Sequence, residues 1–528
     1  MERVVTALFL AQQAFAYTWP SPRLDVLEGM RWDQLGYSSF EPALFVTPCD
    51  RYTHPTEKGS KGVRSNAADW VRAAYHDMAT YNVETGLGGL DASIRFGAEQ
   101  SRPENPGSGF NNTIQFIAGA LGRHFSLADG LALLVPMAVE NCGGPEIDFR
   151  GGRVDATEPN AAGVPEPDQD IETHTAAFKR QGFSPTEMIG LVACGHSFGS
   201  VQSSNFPDVV KQNETDPTSE TGVAFDSTMT TFDNAVAAQY INGTTTNPLV
   251  AGLNATKNSD SRIFSSDRNA TMAAFARNPA HFAATCKHLF ERMINTVPKS
   301  VHLTEVIRPL PVKPVEMRLT YRKDGTIALS GDVRLFNVSE NDKRTVDIVW
   351  KDSLGQSNAV HRAAMPHTAA MKGSAQASKI QNFWYGNRTF LATVEPERGF
   401  GAFHFEVDGH DGLEARIEDQ GGLGFALPTD AVMISEETCE ENTHVAVRAN
   451  AGVQRVFLEI DQFTEDSQGS AAPLIVDLVP SGKADKNGFV IWSGKSWARE
   501  TWSTAYGIVA VINNKRLELP QENRNDFC

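Results

Sequence analysis

Val71-Arg72-Ala73-Ala74-Tyr75-His76-Asp77 and Leu191-Val192-Ala193-Cys194-Gly195-His196-Ser197-Phe198-Gly199 are the two stretches that decide how this chain is read. In the first, Arg72 and His76 are four residues apart, so on a helix they project from one face, one turn from each other. A cation beside an imidazole on one wall suits a peroxide O–O bond that must be polarised and split. In the second, a single histidine ends an apolar run and could hold iron from the opposite side.

The sequence around both stretches is helical from about residue 66 to about 296. Asn66 reads as an N-cap with Asp69 at N3, opening the helix that carries Arg72 and His76. Ser126 with Asp129 opens another over Leu127 to Val139, ended by Cys142-Gly143-Gly144-Pro145. Ser184-Pro185-Thr186-Glu187 is a capping box with proline at N1, and its helix runs out at Gly195 and Gly199, leaving His196 near the end. A last long helix runs from Pro279 to Ile294. The pattern then changes. Pro309, Pro311 and Pro314 predict a stiff linker. Beyond it, Met317–Tyr321 and Thr326–Ser330 alternate across Arg322-Lys323-Asp324-Gly325, a hairpin signal. Val346–Trp350, His444–Val447 and Gly507–Ile512 predict further strands. The expected fold is a mainly α domain followed by an all-β, sandwich-like domain. The expected division is a signal peptide at 1–16, the helical domain at 17–297, the linker at 298–314 and the β-domain at 315–528.

The chain has 528 residues, 41% of them hydrophobic, and a net charge of −17. That length calls for two or three domains. The acidic balance argues against nucleic acid or an anionic membrane as partner. Met1-Glu2-Arg3, a short apolar run and Ala14-Phe15-Ala16 read as a cleaved secretory signal, so the protein is expected to be extracellular. No later segment is long and apolar enough to span a bilayer. In that compartment six cysteines allow three disulfides. The expected pairs are Cys49–Cys142, Cys194–Cys286 and Cys439–Cys528, although spacing alone leaves the connectivity open. Sequons begin at Asn111, Asn213, Asn242, Asn254, Asn269, Asn337 and Asn387, with Asn269 expected to lie too near a buried site for use.

Taken together, the motifs of roughly the first 300 residues resemble the plant–fungal–bacterial haem peroxidase superfamily, nearest to its secreted fungal class II group. The resemblance does not extend to the β-domain. It implies a haem b cofactor, two Ca²⁺ ions and hydrogen peroxide as oxidant. Arg72 and His76 match the distal pair of the Arg-x-x-aromatic-His-Asp motif. Glu99 and Asn105 match the distal Glu…Asn, where the asparagine accepts a hydrogen bond from the distal imidazole. His196 matches the axial iron ligand, Asp267 the carboxylate that bonds it, and Phe225 the proximal aromatic residue. Asp77, Gly89, Asp91 and Ser93 match a distal calcium set. Ser197, Asp226, Thr228, Thr231 and Asp233 match a proximal one, all oxygen donors as a hard cation requires. Gly151-Gly152-Arg153-Val154-Asp155 matches the Gly-Arg-x-Asp element between the histidines.

The departures from the family bear on the reducing substrate. Leu191 stands where lignin-attacking relatives carry an exposed tryptophan. Ser65, Asp69 and Gln202 stand where manganese-oxidising relatives carry three carboxylates. Tyr75 and Phe225 stand where the cytochrome c peroxidase type has tryptophans. What remains is oxidation of small phenols or other one-electron donors at the haem edge. His124, His281 and His288 read as ordinary surface or core residues. The competing reading is a non-enzymatic peroxidase-fold scaffold whose β-domain binds a cell-wall polymer or partner. For that role Trp350, Trp384, Tyr385, Trp492, Trp497 and Trp502 would line a glycan platform rather than fill a sandwich core.

Overall fold

The computed structural model describes residues 17–33, 40–52, 64–212, 221–372, 380–439, 442–461, 473–495, 505–520 and 522–523. A helical domain is followed by a strand-rich region, as expected. The distal helix, Asn66–Met78, starts one residue after its true cap, which is Ser65 and not Asn66: the Ser65 hydroxyl accepts the Ala68 N–H. Ala67, Trp70, Val71, Ala74 and Met78 give it a buried face. It lies against the Leu127–Asn141 helix, capped by Ser126 and buried along nearly its whole length. The proximal helix, Pro185–Gly195, opens with the full Ser184/Glu187 capping box. It packs on the Pro279–Asn295 helix so closely that a Cβ on Gly190 would meet Leu289 at 2.7 Å. Two disulfides brace this frame, Cys49–Cys142 and Cys194–Cys286, the second joining the proximal helix to the last one. The expected Cys439–Cys528 pair, the 1–16 segment, the Asn213 sequon, Trp497 and Trp502 all involve residues outside the described ones.

The Gly-Arg-x-Asp element ties two helices together. Arg153 bonds the Asp129 carboxylate at 3.0 Å and the Ile294 carbonyl. Asp155 accepts the first N–H groups of the Leu127–Asn141 helix.

The proline-rich segment lies against the helical domain. Thr304 and Ile307 donate backbone hydrogen bonds to Gly151 and Phe149, and Ile307 is buried in the helical core. The first long strand is Val312–Tyr321, so Pro314 sits inside a strand, beside a bulge between Val315 and Arg318 that relieves the ladder there. Its hairpin partner is Ile327–Leu335, with Tyr321 opposite Ile327.

The β-region has two sandwich cores that share one eight-stranded sheet. Alternation along Val432–Ser435 and Asn442–Arg448 explains this. Met433 and Ala446 point into the core made with a four-stranded sheet, while Val432, Ile434, Val445 and Val447 point into the core made with a five-stranded sheet. Both faces of these strands are therefore apolar, as in any doubly covered sheet. Trp350, Trp384 and Tyr385 are core residues.

The two regions meet through the Pro22–Trp32 helix. Glu28 and Asp33 receive Arg334 from the Ile327–Leu335 strand, and Glu28 also receives Lys313. Trp19 packs edge-on against Phe403 and Phe425 of the β-region. A second contact joins Arg123 and His124 to Asp461 and Glu518. Among the described residues, no helix is long and apolar enough to cross a membrane.

Candidate active site

Between the distal and proximal helices lies a cavity of about 260 Å³, lined by Arg72, His76, His196, Phe225, Phe206 and Leu191 among others. A void that size is far beyond the packing defects of a protein interior.

On the distal wall, His76 Nδ1 lies 2.7 Å from Asn105 Oδ1. The Asn105 amide nitrogen donates to the Glu99 carbonyl at 2.8 Å, which fixes its oxygen toward the histidine. An amide oxygen can only accept, so Nδ1 carries the proton and Nε2 keeps its lone pair. Burial, then the neighbouring Arg72 charge, pushes the His76 imidazole down to about 3, against the smaller upward pull of Asn105. His76 is thus a neutral base at ordinary pH. The Arg72 guanidinium donates to the Pro106 carbonyl at 3.0 Å and lies 4.4 Å over the Phe110 ring. The same ring packs 4.9 Å from His76, so Phe110 sets the spacing of both polar groups.

On the proximal wall, His196 is the C-cap of its helix and stacks on Phe225, with centroids 4.1 Å apart and planes 6° from parallel. Its Nδ1 bonds Asp260 Oδ2 at 2.8 Å. The proximal carboxylate is therefore Asp260, and the assignment to Asp267 is corrected. Both are spaced to share a face with Ile263 and Phe264. The Ser259–Ser265 helix ends before Asp267, however, and Arg268 and Asn269 turn into the left-handed region. Asp267 instead caps the next helix, accepting Ala270 N–H, Thr271 N–H and the Thr271 hydroxyl. Asn269 is exposed, contrary to the expectation that a buried site would block it. Asp260 Oδ2 also accepts the buried Asn247 amide at 2.8 Å.

The positions relevant to other donors also border this cavity. Leu191 is buried. The Ser65 hydroxyl is used in capping, Asp69 is ion-paired to Arg64 at 2.8 Å, and Gln202 donates to Ser200. Tyr75 stacks on Phe178, and burial raises its phenol pKa well above the usual range.

The two oxygen clusters differ. In the distal one, Asp77 accepts the N–H groups of Asp91, Ala92 and Ile94 at 2.8, 2.7 and 2.9 Å. The Asn160 side-chain nitrogen stands 2.9 Å from both Asp91 oxygens and 3.0 Å from Ser93 Oγ. Gly89 donates its N–H to Thr80. The distal carboxylate oxygens thus have donors within the chain, while burial and the facing Asp91 charge push the Asp77 carboxyl well above its usual range. In the proximal one, Thr228 Oγ1 lies 3.0 Å from Asp226 and 3.1 Å from Asp233, and the Thr228 and Ala235 N–H groups donate to the same two carboxylates at 2.8 and 2.7 Å. Asp226 Oδ2 is buried with no hydrogen-bond partner, and burial pushes that carboxyl up to about 6. Thr231 closes the turn through its N–H to the Thr228 carbonyl, and Ser197 donates to Cys194. The orphaned Asp226 oxygen among these donors fits a hard cation. Among the described residues, no group of three or more His, Cys, Asp or Glu side chains is arranged to hold a metal.

The family model for peroxidase matches residues 56–279, the span that holds both histidines and the cavity. This region is a peroxidase domain, and a strand-rich C-terminal region follows it. A WSC domain-containing protein of Arthroderma benhamiae is 36% identical over 395 residues, 74% of this chain and 52% of that protein. That match is longer than the helical region, so it extends into the β-region as well. An L-ascorbate peroxidase 5, peroxisomal, of Arabidopsis thaliana is 33% identical over 138 residues, 26% of this chain and 48% of the relative. A manganese peroxidase 2 of Phlebia radiata is 29% identical over 184 residues, 33% of this chain and 44% of the relative. The chain spans about half the length of the curated relatives it matches.

Four residues of the peroxidase domain escaped the sequence reading: Asp260, Asn247, Phe110 and Asn160. Only Asp260 left a usable signal, three and four residues before the apolar pair Ile263 and Phe264, where a helix presents one face. The others come together through loops or across helices.

Proposed function

We propose that this protein is a secreted haem peroxidase that uses hydrogen peroxide to oxidise small phenols or similar one-electron donors reaching the cavity edge. One observation carries the reading. Two histidines border one cavity, each with Nδ1 committed to a fixed acceptor, which leaves both Nε2 lone pairs for the space between them.

The donor set fits haem: His196 would hold the iron through Nε2, and Phe225 and Leu191 would flank the macrocycle. Bound there, haem supplies the redox-active iron that exchanges electrons with peroxide and donor. The protein does the rest. Neutral His76 can take a proton from one peroxide oxygen at Nε2 and deliver it to the other. Arg72 stabilises the negative charge on the departing oxygen, a pre-placed interaction of about 3 kcal/mol by comparison with single oxyanion donors. Asn105 holds the His76 tautomer. Asp260 orients His196 and increases its donor strength.

The proximal cluster is proposed to take one Ca²⁺. Ser197 follows His196 and Asp226 follows Phe225, so an ion between them would brace the stacked pair. Buried Leu191 and ion-paired Asp69 support small donors over a surface tryptophan route or manganese. Two disulfides support an oxidising, extracellular setting. The burial of Trp350, Trp384 and Tyr385 removes them from any glycan platform on the β-region.

The test is an absorption spectrum of the haem-loaded protein before and after one equivalent of hydrogen peroxide. A Soret band that falls within milliseconds and recovers on adding a phenol is expected. Haem that is inert to peroxide, or no haem binding, would refute the reading.

A further inference from the structure

Resting on the proposed haem site, we infer that Asn247 is a positioning residue that limits how strongly Asp260 polarises His196. Asp260 directs its hydrogen bonding through one oxygen. Oδ2 accepts both His196 Nδ1–H and Asn247 Nδ2–H at 2.8 Å, while Oδ1 is buried with no partner. The two donors share the electron density of that oxygen. A carboxylate that bonds only the histidine would make it a stronger iron donor. A second, equally short bond draws part of that effect away.

The amide is not free to turn its oxygen to Asp260. Asn247 Oδ1 accepts the Leu249 N–H at 2.8 Å as the cap of Pro248–Ala251, and the Asn247 N–H is held by Thr245. Asn258, just before the Ser259–Ser265 helix, donates to the Val250 carbonyl and ties this turn to the helix carrying Asp260. Asn247 and Asp260 are each 1% exposed, so water does not compete. The amide thus presents a donor to Asp260 at a position fixed by the backbone.

Asn247→Ser and Asn247→Thr test this, because either shorter side chain keeps a capping oxygen while removing the amide nitrogen that reaches Asp260. The haem-loaded, full-length variants are compared with the unsubstituted protein by ferrous iron–histidine stretching frequency and by ferric/ferrous midpoint potential. Losing the competing bond should raise the stretching frequency. It should also disfavour the ferrous form by up to about tenfold, a midpoint more negative by up to about 59 mV for one electron. An unchanged frequency and potential would overturn the inference. So would shifts of opposite sign, which would mean that Asn247 only holds Asp260 in place. The underlying haem reading fails separately, if the unsubstituted protein has no Soret band or if His196→Ala keeps a normal one.

Discussion

Replacing Asp260 with asparagine should disable the proximal side of the site, while the same change at Asp267 should leave it intact. Asp260 makes a 2.8 Å charge-assisted bond to His196 Nδ1 inside the protein, with its own side chain 1% exposed. Hydrogen bonds to charged groups contribute about 1.5–3 kcal/mol. At about 1.4 kcal/mol per factor of ten, losing this bond corresponds to roughly 10–100-fold. The range agrees with the usual cost of removing the outer partner of a metal-bound histidine, about 10–100-fold in affinity or activity. Asp260→Asn should therefore lower peroxide-dependent phenol oxidation by about that factor and drop the ferrous iron–histidine stretch. Asp267 bonds only the first turn of the Ala270–Arg277 helix. Asp267→Asn retains a capping oxygen, so it should cost at most about 1 kcal/mol of stability and leave the stretch unmoved. Steady-state kinetics, resonance Raman spectra and thermal melts of both variants give the answer. If Asp267→Asn moved the stretch and Asp260→Asn did not, the proximal geometry described above would be wrong.

Arg72→Leu should slow the peroxide-dependent Soret change by about 10²–10³-fold, the usual loss on removing one such donor. Because the Arg72 charge helps lower His76, the variant should also show an acid limb at higher pH. The unsubstituted protein should hold its rate as pH falls toward about 3, where His76 takes up a proton. A limb that stayed fixed in stopped-flow pH profiles would argue against their coupling. For calcium, elemental analysis should find at least one ion per chain, since Asp226 Oδ2 is buried without a hydrogen-bond partner. Chelation should disturb the His196 side, and a chain free of calcium would contradict the proximal reading.

The sequence revealed much of the fold because its signals were local. Ser126, the Ser184/Glu187 box and the Gly325 turn each act within a few residues, and the structure uses all three. His76 and Arg72 were legible for the same reason, being one helical turn apart. Asp267 misled because it was matched by resemblance alone, and the helix that would bring it to His196 stops at Ser265, with the backbone turning at Arg268 and Asn269. The second sandwich core was hidden because Val432–Ser435 is buried on both faces, and a doubly buried strand shows no alternation. Asn247 and Asn160 act across loops, where spacing carries no directional information.

The β-region is structurally tied to the peroxidase domain. The contact with the Pro22–Trp32 helix buries two acids and two bases: Glu28, Asp33, Arg334 and Lys313. Burial alone would raise the Glu28 carboxyl, but Arg334 and Lys313 hold it below its usual range. Arg334 is fully buried, bonding Glu28, Asp33 and the Leu310 carbonyl. Arg334→Met would fit the space but remove the cation that bonds both Glu28 and Asp33. Breaking one partner of a buried pair costs about 3–5 kcal/mol. The variant should therefore melt well below the unsubstituted protein, and its haem spectrum should be lost in the same transition. If the haem signal survived unfolding of the β-region, the two parts would be independent. A fragment ending before Val312 would meet the same penalty, with Trp19 also deprived of Phe403 and Phe425. Activity should accordingly be assayed on the whole chain.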